Sequence, residues 1–83
     1  MTTPAIASLT SASGRHSGRI YHDRATGGFR TIFYVDGIAQ RDADAFTASE
    51  AEALEETAYS LRVADEIYAG LQARLTRRSE TVQ

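Results

Sequence analysis

The sequence predicts an α+β fold in which a three-stranded antiparallel meander is followed by one long helix packed on one sheet face. Three observations carry this reading. Apolar residues alternate with polar ones between positions 18 and 46, Thr26-Gly27-Gly28 and Asp36-Gly37 divide that stretch, and a run of good helix formers begins at Ala48. The chain has 83 residues, enough for one domain.

The expected strands are 19–24, 29–35 and 38–46. Asp36-Gly37 between Val35 and Ile38 is the favoured pair for a two-residue type I′ turn, because both central positions need positive φ. That turn pairs Val35 with Ile38, Tyr34 with Ala39, Phe33 with Gln40 and Ile32 with Arg41, and so fixes the face of every side chain in both strands. A two-residue turn at Thr26-Gly27 or at Gly27-Gly28 gives the first hairpin the same parity. One face then carries Ile20, His22, Phe29, Thr31, Phe33, Val35 and Ile38, and is the core face. The other carries Arg19, Tyr21, Asp23, Arg30, Ile32, Tyr34, Ala39, Arg41 and Ala43.

Thr47-Ala48-Ser49-Glu50 matches a capping box, so the helix is expected to start there. Its apolar stripe is Leu54, Leu61, Tyr68 and Leu75, flanked by Ala51, Ala58, Ala64 and Leu71. A helix from 48 to about 76 is some 40 Å long at roughly 1.5 Å per residue, against about 23 Å for a seven-residue strand. It therefore either breaks near Gly70 or overhangs the sheet. Residues 1–14, rich in Ser, Thr and Ala and without charge, are expected to be a flexible tail, with a short strand around 5–9 as the alternative. The ordered domain is then 15–76, and 77–83 should fray. The first residues lack the basic segment and apolar stretch of a secretory signal, so a cytoplasmic protein is expected.

Composition narrows the chemistry. There is no Cys, which excludes disulfides, thiol nucleophiles and cysteine zinc sites, and no apolar run approaches the roughly 20 residues of a membrane span. All nine basic residues are Arg and the net charge is -2. A triad can be written on paper from Ser17, His22 and Asp23, but adjacent strand residues point to opposite faces, so His22 and Asp23 cannot orient each other. Asp42 and Asp44 with Glu50 lack the glycine and ligand order of a calcium loop. No enzyme activity, cofactor or metal is expected.

Binding surfaces remain. Arg19, Tyr21, Arg30, Tyr34 and Arg41 lie on the exposed sheet face, interleaving guanidinium groups with aromatic rings as nucleic-acid-binding sheets do. Residues 15–41 nevertheless carry only five Arg against two Asp. Residues 42–56 hold six acids and no base, among them Asp42, Asp44, Glu52, Glu55 and Glu56, a row of charge suited to a basic groove on another protein. Tyr59, Val63 and Ile67, spaced at i, i+4 and i+8, form an apolar ridge away from Leu54 and Leu61, which reads either as scattered surface apolar residues or as the contact of a homodimer or another partner.

The order of three strands then a helix resembles the DNA-binding domains of plant ethylene-response factors and the arm-site domains of tyrosine recombinases over 19–58, a likeness of layout alone. The length, the lack of cysteine, the acidic balance and the short sheet with a helix resemble the small anti-CRISPR proteins of phages. That resemblance implies a non-catalytic protein that blocks a prokaryotic RNA-guided complex by occupying its DNA-binding or subunit surfaces. The expected partner is thus a protein, such as a CRISPR effector complex, with direct DNA or RNA binding by the Arg/Tyr sheet face as the alternative and no membrane association.

Overall fold

Asp36 and Gly37 adopt φ of 51° and 82°, the left-handed pair that a type I′ turn requires. The computed structural model, which describes residues 4–81, builds around this turn a five-stranded antiparallel sheet and one long helix. The strands are β1 (Ala7–Thr10), β2 (His16–His22), β3 (Phe29–Val35), β4 (Ile38–Ala39) and β5 (Ala45–Thr47), and the helix is α1 (Glu50–Thr81). The class is α+β, as the sequence predicts, with more strands than the expected three.

β3 and β4 pair Val35 with Ile38 and Tyr34 with Ala39, and the Gln40 amide donates to the Phe33 carbonyl at 2.8 Å. β2 runs antiparallel to all of β3, setting Gly18 opposite Phe33, Ile20 opposite Thr31 and His22 opposite Phe29. The connection is a loop over 23–28 rather than a two-residue turn. Asp23 closes it: its carboxylate accepts from the Thr26 hydroxyl at 2.8 Å and the Ala25 amide at 3.1 Å. The longer loop leaves the parity unchanged, so Ile20, Thr31 and Phe33 stand on the helix side and Arg19, Tyr21, Arg30, Ile32 and Tyr34 on the open side.

Two expected elements differ. The strand expected over 38–46 is interrupted by a 3-10 turn at Arg41–Ala43, after which β5 returns to pair Phe29 with Thr47, Arg30 with Phe46 and Thr31 with Ala45. An unbroken hairpin would place residue 42 opposite Thr31, so three extra residues enter the register. Because side chains alternate with a period of two, this odd insertion turns Phe46 to the open face, where it is 63% exposed. It also removes the expected Ile32–Arg41 pair, since Arg41 leaves the ladder. Residues 7–10, expected within a flexible tail with a short strand around 5–9 as the alternative, form β1. Ala7 pairs with Ile20 and Leu9 with Gly18, so both extend the apolar helix side of β2.

The helix cap moves by two residues. Thr47 belongs to β5, and Ser49 caps instead, its hydroxyl accepting the Glu52 amide at 3.2 Å. Ser49-Glu50-Ala51-Glu52 has the same capping-box spacing as the segment before it. The helix then continues through Gly70 without a break. The face it buries also differs from the predicted stripe. Ala53, Thr57 and Leu61, four residues apart, are buried against Ile20 and Thr31, while Leu54, Leu71 and Leu75 are exposed. Small residues decide this. A Cβ on Gly18 would meet the Thr57 Cγ2 at 2.8 Å, so the helix sits close above a strand with no side chain at that point. The Thr57 hydroxyl donates to the Thr31 hydroxyl at 3.4 Å across the gap. Of the predicted stripe, Leu61, Ala64 and Tyr68 stay on the sheet side.

Candidate functional site

The open face of the sheet is the surface the fold leaves uncovered. Its strand order and register set three rows of side chains: Thr10, Ser17, Tyr34 and Ala39; Ser8, Arg19 and Ile32; and Tyr21, Arg30 and Phe46. Tyr21, Ile32 and Tyr34 are half-buried by their neighbours, whereas Arg19, Arg30 and Phe46 are exposed. The strand register therefore brings together four of the predicted contact residues, Arg19, Tyr21, Arg30 and Tyr34, and adds Phe46, which the alternation of an unbroken strand had placed elsewhere. The signal for Phe46 lies in Asp42-Ala43-Asp44, a turn-prone run inside the expected strand.

The two guanidinium groups are held. Arg19 stands over the Tyr34 ring at 5.0 Å from its centroid, a cation–π contact. The Arg30 Nε donates to Asp44 at 2.7 Å, its Nη2 reaches the same oxygen, and the Asp44 carboxylate is largely sheltered. Asp44 is thus a neutralising partner of the basic face, apart from any acidic row. Arg41 and Asp42 stand exposed on the 3-10 turn. Arg15, just before β2, pairs with Asp36 at 3.0 Å and covers the Tyr68 ring at 3.9 Å.

The acidic residues of the helix lie elsewhere. Glu52, Glu55 and Glu56 are exposed on α1, which covers the opposite face of the sheet. The fold does not bring them together with the Arg/Tyr face. On the same outward part of α1, Tyr59 is covered on one side by Arg62, whose guanidinium carbon is 5.4 Å from the ring centroid. Tyr59 and Ile67 are exposed and Val63 is half-buried.

One polar cluster was not legible beforehand. His16, which precedes the first expected strand, sits in β2 with its Nδ1 2.7 Å from Asp65 of the helix. The same carboxylate accepts the Ser13 hydroxyl at 2.7 Å and the Ser13 amide at 2.9 Å. The His16 bond, then the two Ser13 bonds, hold the Asp65 carboxyl well below the usual carboxylate range. The tyrosine ring of Tyr68 packs edge-on to His16 at 6.3 Å. This cluster fastens the β1–β2 turn to the helix. Ser13 bonds the carboxylate and not the imidazole, which is not the order of a nucleophilic triad. His16 and Asp65 are 49 positions apart, and no local pattern links them. His22, assigned to the core face by the expected alternation, is exposed with its ring packed edge-on against Phe29 at 5.5 Å, and Asp23 is engaged in its own loop, so the paper triad with Ser17 does not form.

Among the described residues there is no group of three or more His, Asp or Glu side chains that could hold a metal ion, and no helix long and apolar enough to cross a membrane. Compared with known proteins, the chain matches no family model, no curated protein and no solved structure.

Proposed function

We propose that this chain is a non-catalytic protein-binding module whose contact surface is the open face of the sheet. One observation carries the reading: Tyr21, Ile32, Tyr34 and Phe46 share one open sheet face with Arg19 and Arg30, Arg19 stands over Tyr34, and Asp44 cancels the charge of Arg30. Protein interfaces favour Tyr, Phe and Arg with few other charges at their centre, and groups already fixed lose little freedom on binding. A nucleic-acid surface needs several free cations, since affinity for the phosphate backbone grows with each one. Here Arg19 and Arg30 against Asp44 leave one net positive charge across the strands of the face.

The narrower reading is that the partner is a prokaryotic nucleic-acid-targeting complex, inhibited in the manner of anti-CRISPR proteins. The size, build and acidic balance of the chain support it. Expression of the chain in strains that each carry one CRISPR–Cas type, challenged with a targeted phage, tests this. Plaque formation should be restored in at least one strain and lost again with Phe46→Glu or Tyr21→Glu. Failure in every strain sinks the inhibitor reading. A gel shift at low salt, weakened by Arg19→Ala, would replace the protein partner by DNA or RNA.

A further inference from the structure

The helix is longer than the sheet can cover. Its 32 residues span about 48 Å at roughly 1.5 Å each, and the molecule is 56 Å in its longest dimension but only 25 Å and 20 Å in the others. Contact with the sheet side ends near Tyr68 and Arg15, and residues 69–76 are exposed. Along one flank of α1, Tyr59, Val63, Ile67 and Leu71 follow each other at intervals of four, and three of them are 59%, 60% and 49% exposed. Which flank this is follows from the cleft beside it. Glu56 and Ser60 face Phe33 and Ala45 there, and Val63 and Ile67 continue the same side one and two turns on. Below them the helix side of the sheet stays open, because α1 makes no contact with β4 and Ile38 is 68% exposed.

Two further features of the helix bear on this flank. Glu56 near its start and Arg74 near its end lie on the same side as Val63 and Ile67, opposite charges that suit the helix dipole and also make the flank complementary to itself when run antiparallel. Gly70 lies in the helix interior, where it costs about 1 kcal/mol relative to Ala. A Cβ there would touch nothing within 4 Å, and no positive φ demands a glycine.

We propose that this flank binds a second copy of the chain, the two helices running antiparallel about a two-fold axis that crosses between Val63 and Ile67, at the height of residue 65 along the helix. That one axis places Val63 opposite Ile67 of the partner subunit, and Tyr59 opposite Leu71 of the partner subunit. Glu56 then meets Arg74 of the partner subunit, so the acidic start of each helix lies along the basic end of the other. Ser60 falls opposite Gly70 of the partner subunit, where the missing side chain lets the backbones approach. The interface is isologous, as a two-fold dimer requires, and it leaves both open sheet faces outward. It is independent of the function proposed for those faces.

Sedimentation equilibrium of the full chain up to about 100 µM decides. The expected result is a particle of twice the 9.0 kDa chain mass, with Ile67→Glu monomeric and helix content unchanged by circular dichroism. Glu56→Arg and Arg74→Glu should each weaken association about tenfold, and the double variant should restore it to within about threefold. Gly70→Gln, a better helix former, should melt higher as a monomer yet associate less. A single-chain mass at every concentration overturns the pairing, and so does a charge swap without rescue. A dimer that survives Ile67→Glu but is lost in Phe46→Glu overturns it too, and shows that the open sheet face is itself the self-contact.

Discussion

Replacing Gly18 with Ala tests the close approach of helix and sheet directly. The added Cβ would lie 2.8 Å from Thr57 Cγ2, inside any real contact distance, and 3.5 Å and 3.6 Å from Thr31 and Phe33. Thr57 can relieve the clash by rotating, but that breaks its 3.4 Å hydrogen bond to Thr31, and both hydroxyls are buried. Overpacking of this kind costs about 1–3 kcal/mol. The reduced freedom of the unfolded chain returns roughly 0.4–1 kcal/mol, so a net loss of about 1–2 kcal/mol is expected. For a domain of this size that lowers Tm by roughly 4–16 °C in a thermal melt followed by circular dichroism. Thr57→Ser removes the offending methyl and keeps the hydroxyl, at about 0.5–1.5 kcal/mol by itself. In that background Gly18→Ala should cost nothing or stabilise, a coupling of about 1 kcal/mol or more. Equal cost of Gly18→Ala with and without the Thr57 methyl would refute the packing described for the helix.

Other perturbations follow from the same geometry. Leu61→Ala should cost about 2–5 kcal/mol in urea unfolding, because Leu61 is 4% exposed and is the one large aliphatic side chain that the helix buries among the described residues. Gly37→Ala should lose about 1–2 kcal/mol, since φ of 82° is costly for any side chain, and the same assay reads it. The Asp65 carboxyl is depressed by His16 and Ser13, so its contribution is fully present above the ordinary carboxylate range near pH 4 and fades as the solution is made more acidic. Asp65→Asn should therefore be less stable than the parent at neutral pH, with the gap narrowing as the pH falls below about 4; a gap that widens on acidification would contradict the cluster.

The long-range contacts explain why some of the fold was legible and some was not. Asp36-Gly37 needs only its own φ angles, and once it is placed the period of two assigns Arg19, Tyr21, Arg30, Ile32 and Tyr34 to one face, where the strand register holds them. Ser49 and Thr47 offer equal caps in sequence, and β5 pairing with β3 decides between them by taking Thr47. The face of the helix follows the same logic. Leucine periodicity points to Leu54 and Leu75, yet the buried side is Ala53, Thr57 and Leu61, because Gly18 and Thr31 allow small residues to approach closely.

What the chain determines locally is thus the class, the central hairpin, the parity of β2 and β3 and the existence of a long helix, because turn conformation and side-chain alternation act over a few residues. Tertiary contact decided the rest. β1 forms because Ala7 and Leu9 find Ile20 and Gly18 across the ladder, Phe46 turns outward because an odd insertion precedes it, and His16 meets Asp65 only where the helix crosses the β1–β2 turn. Each depends on residues far apart in sequence, whose energies no local pattern contains.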